Sequence, residues 1–140
     1  MKLYYSPGVC SLASHIVLRE LGLDFELDLV DKQTKMTASG KDFRSINPNG
    51  YVPVLELSDG RRLTEGPAIM QYLADLKPES GLAPAAGDYE RYVLQSWLNF
   101  ITSEIHKGFS PLFKQDLAPE AKDVLRQQLE SRLGYVAEHL

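Results

Sequence analysis

A strand, a helix and a second strand, all read within residues 2–30, constrain this chain more than any other feature. Lys2 to Tyr5 read as a short strand rich in Leu and Tyr, and Pro7-Gly8 breaks it. From Cys10 or Ser11 to Leu21, the residues Leu12, Ile16 and Val17 recur at helical spacing, and Gly22 supplies a stop. Phe25, Leu27 and Leu29 then alternate with Glu26, Asp28 and Val30, which predicts a second strand with one face mostly wet. Strands joined by a helix lie parallel, through a right-handed crossover.

The strand signals end early. Lys32 to Ser45 is polar, with room for a helical turn or two, and Asn47-Pro48-Asn49-Gly50 is a turn. Val52 to Leu57 reads as a third strand containing Pro53. Ser58-Asp59-Gly60 is a hairpin turn, and Arg62 to Thr64 is its returning partner. Glu65-Gly66-Pro67 opens a helix with Pro at the first position, followed by an apolar stripe of Ala68, Ile69, Tyr72, Leu73 and Leu76. Pro78 to Gly87 reads as a linker. Beyond it only helices are expected, one from Tyr89 to about Pro111 and one from Ala118 or Pro119 to Leu140. The expected domains are therefore residues 1–77, a linker at 78–87, and a helical part at 88–140.

Composition removes several function classes. The 140 residues carry 15 basic and 19 acidic side chains, a net charge of −4, which is the wrong sign for a nucleic-acid binder; the only basic cluster is Arg61-Arg62. One cysteine, Cys10, excludes an internal disulfide and a cysteine-based zinc cage, and His15, His106 and His139 lie too far apart in sequence to indicate a metal site. The N-terminus lacks the apolar run of a signal peptide, and no stretch approaches the ~20 apolar residues that span a bilayer. A reduced, cytoplasmic protein with no membrane or nucleic-acid partner is the expectation.

Several residues carry chemistry by position. Cys10 falls at the start of the first helix, where partial positive charge and unpaired N–H groups favour thiolate over thiol; a lone cysteine also packs readily as a small apolar residue. Ser11, next to it, suits a helix N-cap. Pro53 cannot donate to a sheet ladder, so it is an outlier within an apolar strand, and an edge strand after a loop is the plain account of it. At Glu65-Gly66 the helix amides suit a carboxylate and the acidic side chain suits an amine; a plain Gly N-cap is the alternative. Lys35 is a lone lysine in the polar segment. On the helix from Tyr89, at ~100° per residue, Asn99, Ser103 and His106 fall within about 60°, flanked by Lys107, while Glu104 lies about 140° from Asn99. Leu94, Trp97, Leu98, Ile101 and Ile105 gather opposite. A row of amide, hydroxyl and imidazole suits a polar cleft; a solvated face is the plainer reading.

Four segments, in order, resemble the glutathione transferase family and its bacterial beta class. They are Tyr5-Ser6-Pro7-Gly8-Val9-Cys10-Ser11, Asn47 to Leu55, Leu63-Thr64-Glu65-Gly66-Pro67-Ala68-Ile69, and Trp97-Leu98-Asn99-Phe100 with Ser103-Glu104-Ile105-His106-Lys107-Gly108. The resemblance implies an α/β fold: a thioredoxin-like βαβ-ββα domain followed by an incomplete all-helical domain of two long helices. It implies that Pro53 is cis and that Val52 presents its backbone to glutathione as to an added strand. It further implies that Glu65 and Gly66 hold the γ-glutamyl end, Lys35 the glycyl carboxylate, and Cys10 the sulfur, with Ser11 and His106 beside it. Many family members carry Ser where Gly66 stands, so here only the backbone N–H serves. Asn99, Ser103, Glu104, His106 and Lys107 complete the expected glutathione site, some of them reaching the second subunit's ligand in a homodimer.

The implied activity is conjugation of the glutathione thiolate, as substrate rather than resident cofactor, to small apolar electrophiles. No metal is implied. Glutathione-dependent thiol–disulfide exchange through Cys10 is the alternative enzyme chemistry. A third reading is a truncated protein that binds glutathione without turnover, because residues 88–140 hold fewer helices than the family's helical domain. The apolar stripe Leu125, Leu129, Leu133, Val136 and Leu140 is then expected to lack partners.

Overall fold

A computed structural model describes residues 1–140, which divide into two compact units, Met1–Ala86 and Gly87–Leu140. In the first unit, β1 (Lys2–Tyr5), α1 (Ser11–Glu20), β2 (Glu26–Leu29), β3 (Val54–Glu56), β4 (Arg62–Thr64) and α2 (Gly66–Asp75) follow in that order. The sheet order is β2-β1-β3-β4. β1 and β2 pair in parallel, as a strand–helix–strand crossover requires, and the other two pairings are antiparallel. This is the thioredoxin-like βαβ-ββα arrangement.

Period-two alternation sends neighbouring residues to opposite faces and creates two cores. Leu3 and Leu55 pack under the helices with Leu18, Leu21, Ile69 and Leu73. Tyr4 and Val54 face the other way and pack with Val30, Phe43 and Ile46, which the 31–46 segment brings over that face. A short 3₁₀ turn, Phe43–Ser45, seats the Phe43 ring 5.8 Å from that of Tyr4. Burial raises the Tyr4 phenol above its ordinary value, the Glu56 carboxylate adding to the effect, so Tyr4 stays a neutral donor to Glu56. Lys77 Nζ donates to the Leu21 carbonyl at 2.7 Å, which satisfies the C-terminal end of α1.

Two expectations change here. The third strand is shorter than Val52 to Leu57, because residues 52 and 53 stand outside the ladder. In β2 the alternation points the wrong way. Leu27 and Leu29 are 38% and 39% exposed, while Asp28 and Val30 are buried. The 31–46 segment covers that face and supplies hydrogen bonds to the Asp28 carboxylate, which offset its desolvation.

The second unit contains α3 (Tyr89–Phe100), a π-helical turn (Ile101–His106), the single turn α4 (Lys107–Phe109), a 3₁₀ turn (Ser110–Phe113) and α5 (Pro119–Ala137). The single helix expected from Tyr89 to Pro111 is thus a run of four segments with three hydrogen-bonding types, α, π and 3₁₀. Trp97 packs with Phe100, Tyr135 and His139 at ring separations of 5.9, 5.5 and 5.3 Å. Gly108 lets α5 approach: a Cβ there would lie 2.7 Å from Leu129 Cδ2. Along the α5 stripe only Leu129 is buried, and Leu133 and Leu140 are exposed. No helix is long and apolar enough to cross a membrane.

Candidate glutathione site

The turn between β1 and α1 is built to hold a cysteine at the helix start. Ser11 is fully buried, and its Oγ accepts from Ser6 N–H at 3.2 Å and donates to the Ser6 carbonyl at 3.0 Å. Ser6 Oγ donates in turn to the Val30 carbonyl at 2.6 Å. This network ties the turn to Val30, the residue after β2, and leaves the residue before Ser11 outside. Cys10 is the α1 N-cap and is exposed. Ser11 is neither the N-cap nor turned to solvent, so its hydroxyl works inside the turn rather than on a ligand sulfur.

Cys10 Sγ donates to the Val52 carbonyl at 3.3 Å. The Val52-Pro53 bond is cis. Val52 lies before β3, and its N–H donates to no group in the protein. The thiol therefore meets the unpaired backbone just before β3, which is what an extended thiol peptide requires in order to add strand-like hydrogen bonds.

Two further groups flank this segment. Lys35 adopts a φ of 62°, and its Nζ donates to the Gly50 carbonyl at 3.0 Å, with the Tyr51 ring centroid 5.9 Å away. The ammonium group thus sits two residues before Val52. On the other side, Val54 pairs with Thr64, so Glu65 follows directly beside Pro53. Glu65 is the α2 N-cap, exposed, with φ 68° and ψ 116°. Non-glycine residues avoid positive φ at a cost of about 1–3 kcal/mol, and such strain concentrates at functional positions. Gly66 has open space where a Cβ would project, and its N–H and that of Ala68 open α2; Pro67 has none.

Upstream of Lys35, Asp31 fixes the turn. Its Oδ1 accepts from Gln33 N–H at 2.9 Å, Thr34 N–H at 2.7 Å and Thr34 Oγ1 at 3.0 Å. The Thr34 amide is the main reason its carboxyl lies below the usual range. A depressed folded value means that Asp31 stabilises the turn above the unfolded pKa and ceases to as pH falls through the folded one. An NMR titration of the Thr34 amide should therefore show a midpoint below the ~3.9 of a free aspartate. A midpoint at or above that value would contradict the capping.

In the second unit, Asn99, Ser103, His106 and Lys107 are exposed, as a polar face requires. The wheel that groups Ser103 with His106 and sends Glu104 elsewhere needs correction. Ile101–His106 is π-helical, with i→i+5 hydrogen bonds, so each residue advances by less than 100°. Ser103, Glu104 and Lys107 together line a cavity of about 280 Å³ with Leu125, Gln128 and Arg132 of α5, and Asn99 and His106 are not on its wall. Glu104 Oε2 accepts from Arg132 Nε at 3.0 Å. The structure holds no group of three or more His, Cys, Asp or Glu placed for a metal ion.

A thioredoxin-like sheet that presents a cysteine and the unpaired start of a strand to one another belongs to the thiol-peptide binders. Comparison with known proteins narrows this class. Residues 8–76 match the glutathione S-transferase N-terminal domain. The glutathione S-transferase GstA of Escherichia coli O157:H7 is 53% identical over 140 residues, covering all of this chain and 70% of that protein. A sphingomonad glutathione S-transferase solved with glutathione is 49% identical with a TM-score of 0.95, over 99% of this chain and 69% of its own. The bacterial beta-class enzyme of Sphingomonas chungbukensis is 48% identical with a TM-score of 0.93, over 100% and 70%. The chain belongs to the glutathione S-transferase family of enzymes, resembles its bacterial beta class, and spans about 70% of the length of these relatives.

Proposed function

We propose that this chain binds glutathione at the Val52 edge and conjugates its sulfur to small apolar electrophiles. The observation that carries this is the 3.3 Å contact between Cys10 Sγ and the Val52 carbonyl, since it brings a thiol to the edge that an extended peptide would occupy. The cysteinyl residue of glutathione pairs with Val52, the glycyl carboxylate meets Lys35, and the γ-glutamyl amine and carboxylate meet Glu65 and the α2 amides. The relative solved with glutathione supports this choice of ligand. Asn99, Ser103, Glu104, His106 and Lys107 are proposed as the second unit's contribution.

The chemical step is nucleophilic substitution. Glutathione loses its thiol proton to solvent, its sulfur attacks an electrophilic carbon, a C–S bond forms, and the leaving group departs with the bonding pair. A free thiol is only a few per cent ionised at neutral pH, so favouring the thiolate is the main lever. Turnover of a chlorinated nitroaromatic with glutathione tests the reading. Absence of turnover together with absence of retention on immobilised glutathione would end it.

The exposure of Cys10 at a helix start also favours thiol–disulfide exchange. There the Cys10 thiolate attacks oxidised glutathione, forms a mixed disulfide and expels one glutathione thiolate. Mass spectrometry after incubation with oxidised glutathione should find one glutathione per wild-type chain and none on Cys10→Ala. An unmodified wild-type chain would remove this second reading.

A further inference from the structure

The carboxylate of Asp28 is buried on an edge strand, where the sequence pattern expects a solvent-facing residue. Only 4% of Asp28 is exposed. Its Oδ1 accepts from Ser39 N–H at 3.2 Å and its Oδ2 from Ser39 Oγ at 2.6 Å. A carboxylate only accepts, so the single hydroxyl proton of Ser39 is committed to Asp28. The 3.0 Å contact between Thr37 Oγ1 and Ser39 Oγ must then be donated by Thr37. Thr37 Oγ1 itself accepts from Lys41 N–H at 2.9 Å. The chain has one direction, from Lys41 N–H through Thr37 and Ser39 to Asp28, and such chains polarise cooperatively.

The segment pinned by this chain carries Lys35. Ala38 N–H donates to the Leu29 carbonyl at 2.7 Å, and the bridges Val30–Thr37 and Met36–Asp42 close the loop beneath the clamp. Lys35 lies next to the Met36 bridge, donates from its N–H to the Asp31 carbonyl at 3.0 Å, and accepts from Phe43 N–H at 2.8 Å. Its positive φ is therefore held from both sides.

We infer that Asp28 and Ser39 are positioning residues for Lys35, and that they set recognition of the glycyl carboxylate without touching it. The inference rests on the proposed pairing of Lys35 with that carboxylate. Asn at position 28 keeps the shape but replaces one acceptor oxygen by a donor, which breaks the direction of the chain. Ala at Ser39, an exposed residue, removes the donor to Asp28 Oδ2 while the backbone N–H of position 39 still reaches Oδ1.

Calorimetric binding of glutathione and of γ-glutamylcysteine, which lacks the glycyl residue, separates the two claims. Wild type should prefer glutathione by about tenfold, the usual worth of a charge-assisted hydrogen bond. Lys35→Met should abolish the preference. Asp28→Asn and Ser39→Ala should reduce it to about two- or threefold, with affinity for γ-glutamylcysteine unchanged, as expected if the lysine is displaced rather than deleted. If Lys35→Met keeps the full preference, the pairing itself is wrong and the inference falls with it. If Lys35→Met loses it while folded Ser39→Ala and Asp28→Asn keep it, the clamp does not position Lys35. Should Asp28→Asn fail to fold, Ser39→Ala decides.

Discussion

Glu65→Gly is expected to make the protein more stable and worse at binding glutathione. Glu65 holds φ 68° and ψ 116° at the start of α2, and glycine, which lacks a Cβ, meets less strain at positive φ than a side chain does. Relief of about 1–3 kcal/mol of strain is partly offset by the ~0.5–1 kcal/mol of extra entropy that glycine loses on folding. The net gain, on the order of 1 kcal/mol, should raise Tm by a few degrees. The same substitution removes the carboxylate proposed to meet the γ-glutamyl amine, and glutathione affinity should fall about tenfold. Glu65→Gln separates the two effects, since it keeps the strain and loses the charge. It should bind as weakly as the glycine variant without the gain in Tm. Equal stability of all three proteins, or unchanged affinity in both variants, contradicts this account of Glu65.

Phe43→Ala should produce the largest loss of stability. Phe43 is fully buried between Tyr4, Val30, Ile46 and Val54, and it is the main side chain through which the 31–46 segment covers the sheet. Deleting a buried phenylalanine ring costs about 3–5 kcal/mol, a large fraction of the 5–15 kcal/mol that holds a domain together. The damage has a functional direction. Phe43 N–H donates to the Lys35 carbonyl, so loosening Phe43 releases Lys35 and exposes Asp28. Denaturant unfolding should show a markedly lower midpoint, and hydrogen exchange should speed up in residues 31–46 before the α1 and α2 core. A loss below ~1 kcal/mol, with uniform protection, would mean that the segment is held by its hydrogen bonds alone.

Much of the first unit follows from local pattern. Lys2–Tyr5 and Arg62–Thr64 are strands within the bounds that alternation and the Ser58-Asp59-Gly60 turn imply. The α2 start at Gly66-Pro67 follows from the fixed φ of proline. Cys10, Val52, Pro53 and Lys35 stand out as candidates because each is chemically odd where it sits, and the fold brings Cys10 and Lys35 to the segment 50–53 that leads into β3. Asp28 and Ser39 carry no such signal. An acid that alternates with leucines reads as a wet face, and only the cover supplied by the aperiodic segment 31–46 reverses it. The π turn is equally silent, since Ile101–His106 has neither Gly nor Pro to mark a change of hydrogen bonding. Ser11 misleads in another way. The family resemblance sets it beside the sulfur, but its one hydroxyl proton goes to the Ser6 carbonyl.

The central claim is that glutathione lies along Val52 with its sulfur at Cys10. A crystal structure of the protein grown with glutathione tests it most directly. The expected result is a tripeptide whose cysteinyl backbone exchanges hydrogen bonds with the Val52 N–H and carbonyl, with its sulfur beside Cys10 Sγ. Glutathione bound away from Val52, or an edge left empty at saturating ligand, would contradict it.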